Sequence, residues 1–250
     1  MESATGNLDA GGRIVPAGNG WQWIADGWKL FMKQPGVWVL ITVIVAVVFA
    51  VLAWIPFIGT LALALVGPIL GGSLMVGTQA CDRSGTLEPA HLLVGFKEKT
   101  GKLVTVGIFN LIASFVLIVL VGLIAGAGAG MGALMGGMAG GGGGAMMGGM
   151  AGMTMSMMFG GLVALALSVP IAAALWFAPA LIMFRDVEPM DALKVSFFGC
   201  LRNIVPFVVY GIVAFVLAIV ASIPFGLGWL ALGPVLAASI YTAYRDIFEA

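Results

Sequence analysis

Charge is scarce in this sequence, and so are the side chains that carry most catalytic chemistry. Eleven Lys/Arg and eleven Asp/Glu make up only 9% of 250 residues, against about a quarter in a soluble domain. Such a chain belongs in a bilayer. The charges cancel, so no basic surface is available for nucleic acid. The single histidine, His91, and the two cysteines, Cys81 and Cys200, are far apart in sequence. Neither thiol has a neighbouring base to activate it. No Asp, Glu, Lys, Arg or His interrupts a long apolar run, which removes the relay a proton-coupled transporter needs. The glycine-rich run lacks the lysine and the strand-to-helix setting of a phosphate loop. No residue is assigned a catalytic, cofactor-binding or metal role, and the expectation is a protein that is not an enzyme.

What the chain has instead is apolar length. It is 61% hydrophobic with a mean hydropathy of +1.13. Since a crossing helix needs roughly 20 residues, six runs are read as spans, near 37–55, 57–80, 103–125, 159–184, 204–223 and 227–244. The expected fold class is all-α: a polytopic membrane protein, residues 21–250 forming a single integral membrane domain. Residues 1–20 are polar and glycine-rich, without the basic-then-apolar layout of a signal peptide, and are read as a disordered cytoplasmic tail. The connections alternate. Those after the second and fourth spans are charged, while Pro56–Thr60, residues 126–158 and Pro224–Gly228 carry no charge. In a six-span arrangement every charge then falls on one side. Because basic residues in short loops stay inside, both termini are expected in the cytoplasm of a bacterial inner membrane. Cys81 and Cys200 would then be reduced thiols.

The charges gather in three corners of similar design. In Arg185–Asn203, Asp186, Glu188 and Pro189 suit a helix start. Met190, Leu193, Phe197 and Leu201 recur at helical spacing opposite Asp191, Lys194 and Arg202, as expected for a helix lying along the membrane surface. Residues 86–102 repeat the pattern, Glu88-Pro89 matching Glu188-Pro189. Residues 20–36 form the third copy, with Gln22, Asp26, Lys29 and Lys33 as a polar stripe and Trp21, Ile24, Trp28 and Phe31 on the other side. The second span of each hairpin carries a proline (Pro68, Pro170, Pro234) followed 15, 15 and 11 residues later by an arginine beside an aspartate. Those arginines are positioned to serve the last helix carbonyls. The expected arrangement is three repeated hairpins, each preceded by an amphipathic interfacial helix.

The opening GWQWIADGWKLF, the six spans and the closing YTAYRDIF resemble a family of bacterial inner-membrane proteins of uncharacterised function. More distantly, the hairpins with surface helices resemble the membrane domain attached to some glycerophosphodiester phosphodiesterases. The catalytic domain of those enzymes has no counterpart here, so the resemblance implies an integral membrane protein and transfers no catalytic residue.

Three features are candidates for function. Residues 126–158, read as an uncharged outer loop, hold ten of the fifteen methionines. Met146, Met147, Met150, Met153, Met155, Met157 and Met158 offer soft thioethers suited to Cu(I), whereas a bland reading makes the stretch a low-complexity insert against the outer leaflet. Pro68 and Pro170 should kink their helices, and three kinked helices around a common axis would line a small path, with Asn110 the most polar group in a span. Small-residue pairs such as Gly67/Gly71, Gly160/Ala164, Ala214/Ala218 and Gly233/Ala237 let helices approach closely, within the chain or in a homo-oligomer. The leading expectation is a membrane scaffold or adaptor that meets a membrane protein partner at the corners. The alternatives are a channel or transporter for a neutral or lipid-like solute, and Cu(I) binding by the methionine loop.

Overall fold

The computed structural model describes residues 12–249. Residues 1–11 of the tail expected to be disordered lie outside the described residues, as does residue 250. Every regular element among the described residues is helical. The chain runs α1 (Asn19–Lys33), α2 (Pro35–Ala53), α3 (Ile58–Ser84), a 3₁₀ turn (Pro89–Leu93), α4 (Val94–Lys97), α5 (Thr100–Trp176), α6 (Ala178–Arg185), α7 (Pro189–Arg202), α8 (Ile204–Ser222) and α9 (Trp229–Tyr244), ending in a π turn (Arg245–Glu249). Four helical stretches among these residues are long and apolar enough to cross a membrane: Pro35–Ala53, Ile58–Ser84, Thr100–Arg185 and Ile204–Ser222. Helix α9 has 16 residues, or roughly 24 Å at 1.5 Å per residue, short for a crossing on its own.

Contacts divide the chain into two units, one comprising residues 12–108 and 173–249 and the other Phe109–Ala172. In the first unit, Trp23, Trp38, Phe177, Leu181, Tyr241 and Tyr244 are almost wholly buried. Aromatic rings interlock here: Trp23 lies 5.3 Å from Phe207, Phe177 lies 5.4 Å from Phe248 and Phe184 lies 5.3 Å from Tyr244, centroid to centroid. Such pairs add about 0.5–1.5 kcal/mol each beyond the area they bury. By contrast α2 and α8 bury little besides Trp38 and Ile41, and Pro206, Tyr210 and Ala221. Their outer surfaces are bare Val, Ile, Leu and Phe, as suits helices solvated by lipid. The α2–α3 and α8–α9 turns project Trp54, Phe57 and Phe225, all strongly exposed.

The second unit overturns the expected loop. Residues 126–158 are helical throughout, except for a reversal at Gly140 and Gly141. Gly141 has φ +66° and ψ −151°, a conformation closed to residues with a Cβ. Two arms of α5 therefore fold back on one another. Gly128, Gly132 and Gly136 face Gly152, Gly148 and Gly144, and a Cβ at Gly132, Gly136, Gly144, Gly148 or Gly152 would run into a backbone carbonyl of the opposing arm. The four-residue glycine period places one bare stripe on each arm, letting the backbones approach closely. Glycine costs about 1 kcal/mol per residue in a water-exposed helix. In an apolar medium, where unpaired backbone groups cost several kcal/mol, the helix is the better state.

The expected corner helices differ among themselves. The first and third are helices of 15 and 14 residues. The second is only the 3₁₀ turn and one turn of α4, ending at Lys99 with φ +53°. Gly95 explains the shortening. Its amide donates to Ser73 Oγ at 2.9 Å, and a Cβ there would meet the Ile69 carbonyl at 2.6 Å, so this corner is drawn tightly onto α3.

Candidate functional site: the charged corners

The polar groups of the first unit concentrate where helices end. At α1 the expected polar stripe is present, with Gln22, Lys29 and Lys33 exposed and Asp26 half-buried. The other side is divided: Trp23, Ile24, Gly27, Leu30 and Phe31 are buried, whereas Trp21 and Trp28 are half exposed. The buried strip packs on α9. A Cβ at Gly27 would meet the Val235 carbonyl at 2.6 Å, and the Trp23 carbonyl accepts from Thr242 Oγ1 at 2.9 Å. Gly27 therefore sits on the residue after Pro234, as Gly95 sits on the residue after Pro68.

In α7 the small residues turn inward. Ala192, Leu193, Ser196, Gly199 and Cys200 are buried, while Met190 and Leu201, on the apolar side read from spacing, are exposed. The physical reason is a hydroxyl. Ser196 Oγ donates to the Ala173 carbonyl at 2.7 Å and accepts from the Phe177 amide at 2.9 Å, inserting into the backbone ladder where α5 gives way to α6. An inserted side chain is a recognised cause of a helix break, and it requires α7 to come close. Burial pushes the Cys200 thiol up to about 12, leaving it inert as a nucleophile near neutral pH.

The ion pairs form a belt through these corners. Asp82 meets Arg245, and Lys33 at 4.0 Å. Asp186 meets Lys99 at 3.3 Å and Lys102 at 3.1 Å, and Glu188 meets Lys102 at 2.8 Å. Asp246 meets Arg13 and accepts from Asn19 Nδ2 at 2.7 Å and Trp23 Nε1 at 2.9 Å. Burial alone would raise the Asp246 carboxyl, but the Trp23, Asn19 and Arg13 donors bring it below its ordinary value. Hydrogen bonds from Lys102 and Lys99 likewise lower Asp186. Helix ends are served chiefly by lysines, not by the arginines expected: Lys33 Nζ donates to the Cys81 and Asp82 carbonyls at 3.1 and 3.0 Å, and Lys99 Nζ to the Ile182 and Met183 carbonyls at 3.1 and 3.2 Å. Arg185 reaches the Phe248 carbonyl. Each lysine–carbonyl contact opposes the negative end of a helix dipole, worth about 0.3–1 kcal/mol.

Asn203 ties residues 13–15 to α7, and its pattern carried no signal in sequence beyond its place after a basic helix end. Wholly buried, it accepts from the Val15 amide at 2.9 Å and donates to the Arg13 and Gly199 carbonyls at 3.0 and 2.9 Å. With the Arg13 amide donating to the Ile247 carbonyl at 2.9 Å, residues 12–18, part of the tail expected to be disordered, are held in place. Beside them an open cleft of about 460 Å³ is lined by Arg13, Gln22, Asp26, Arg245, Asp246 and Glu249. His91 serves locally, its Nδ1 accepting from the Glu88 amide at 3.0 Å.

Of the remaining sequence candidates, Pro68 is half-buried, Pro170 exposed and Pro234 buried. Asn110 is half-buried. Of the small-residue pairs, a Cβ at Gly160 would lie 3.5 Å from Val121 and Ile124 and one at Gly233 3.6 Å from Thr42, while one at Gly67 would meet open space. Among the described residues no three His, Cys, Asp or Glu side chains come together as a metal site.

No family model matches the chain, and no solved structure matches it. A protein of Burkholderia thailandensis named a probable inner membrane protein is 29% identical over 234 residues, covering 91% of this chain and 82% of the relative. The similarity extends over nearly the whole chain. With the long apolar helices, it fits an all-α protein of the inner membrane.

Proposed function

We propose that this is a six-span inner-membrane scaffold or adaptor without catalytic activity, both ends cytoplasmic, which engages a membrane protein partner through its charged corners. The six spans are α2, α3, the two arms of α5 with α6, α8, and residues 227–244, which hold α9. They make three hairpins, each entered through a corner, as in the membrane domain attached to some glycerophosphodiester phosphodiesterases. The observation that carries the reading is on α7. Asp82, Asp186 and Asp246 are tied to distant parts of the chain, and half-buried Asp26 to Lys29 at 2.8 Å. Asp191 and Lys194 are both exposed and pair with one another at 3.2 Å across one helical turn. An exposed pair of this kind contributes about 0–1 kcal/mol to stability, so its charges can be given over to a partner at little cost to the fold.

Native mass spectrometry on protein gently extracted from its own membrane tests this. A single copy carrying another membrane protein is expected, and that protein should be lost from Asp191→Ala/Lys194→Ala while membrane insertion is unchanged. A discrete homo-oligomer with no other chain attached, or a partner indifferent to the double substitution, would overturn the scaffold reading.

A further inference from the structure

The glycine seam of the second unit decides where its methionines go. Residues two positions along a helix lie about 200° around it. Met146 and Met150 therefore stand roughly opposite Gly144 and Gly148, whose faces are pressed against the other arm. Met146, Met150, Met153 and Met157 follow one another at spacings of four, three and four, a single stripe on one helical face. All four are exposed, from 45% at Met153 to 71% at Met146. The stretch is thus an ordered row of thioethers on a helix, where an unstructured loop would scatter them.

We propose that this stripe is a Cu(I) site, with three of the four thioethers as ligands. Side chains at these spacings have Cβ atoms about 5–6 Å apart, and methionine's three rotatable side-chain bonds let neighbouring sulfurs close on one ion. Thioethers are soft, neutral donors that select Cu(I) over zinc, magnesium or calcium. No carboxylate, imidazole or amine lies anywhere in residues 126–158, so coordination there rests on sulfur. The glycine seam orders the helix before metal arrives, lowering the entropy lost on binding. This site does not depend on which side of the membrane the hairpin faces or on the scaffold reading.

The test is an anaerobic Cu(I) titration of the full-length protein in detergent, in competition with bicinchoninate and followed by desalting. Wild type should retain about one Cu(I) per chain, as a single thioether site would hold. Met146→Leu/Met150→Leu/Met153→Leu/Met157→Leu should fall to background. Leucine keeps the apolar character and helix preference of these positions, and circular dichroism of the variant verifies that the hairpin is intact. No retention by wild type, or equal retention by an intact variant, would overturn the proposal.

Discussion

At the scale of single residues, the corners depend on a few buried polar groups with several partners each. Asn203 joins residues 13–15 to α7 through three hydrogen bonds. Removing one partner from a buried network leaves the others unsatisfied at about 1–3 kcal/mol. Asn203→Ala is therefore expected to destabilise the detergent-solubilised protein by about 2–3 kcal/mol in thermal unfolding, and to raise proteolysis near Arg13. Asp246 makes a prediction in pH. Its carboxyl is held below its ordinary value in the folded state, so the stability it contributes is complete above the unfolded carboxylate pKa, about 3.9. That contribution is lost as pH falls through the folded value. Melting temperature should thus decline on acidification below about pH 5, with a shallower decline in Asp246→Asn. Identical slopes would show that this carboxylate is not linked to folding.

At the scale of elements, close approach decides which helices pack. Gly27 puts α1 against the α9 backbone at a place where a Cβ would lie 2.6 Å from the Val235 carbonyl. Gly27→Ala should force the helices apart and cost about 1–3 kcal/mol. Gly36→Ala in α2, where a Cβ meets nothing within 4 Å, should be neutral or stabilising by up to about 1 kcal/mol. Thermal unfolding of the two variants side by side separates seating from composition; equal effects would refute the close-packing account. The α5 hairpin obeys the same rule on a longer repeat. Its glycine period of four was legible in the chain as Gly128, Gly132, Gly136, Gly144, Gly148 and Gly152. Read by the rule that glycine clusters make loops, it suggests a loop; read as a small-residue seam in an apolar medium, it suggests paired helices.

At the scale of the whole molecule, the proposed topology sets the charged corners and the glycine turn on opposite sides of the membrane. Gly142 lies next to the reversal with open space around its Cβ position, and Lys194 is exposed on α7. Gly142→Cys should react with a membrane-impermeant maleimide on intact cells, and Lys194→Cys only after lysis. Cys81 and Cys200 are buried, which keeps the background low. Labelling of both positions on intact cells, or the reverse pattern, would sink the six-span arrangement.

The sequence by itself determined the solvent of this protein and the class of its fold. Long apolar runs with charges swept to their ends leave a hydrogen-bonded helix as the only low-energy backbone in lipid, and α2, α3 and α8 arise where the runs were read. Helix starts were legible too, since Glu88-Pro89 and Glu188-Pro189 both place an extended glutamate before a proline in the first turn. Tertiary structure alone decided which face of α7 is buried, because Ser196 enters a broken backbone ladder formed by a different part of the chain. It likewise decided that Lys33 and Lys99 cap helices distant in sequence, and that Asn203 holds residues 13–15 against α7. Periodicity records which residues share a face; which partner that face meets depends on where the rest of the chain has been carried, and that is a property of the folded whole.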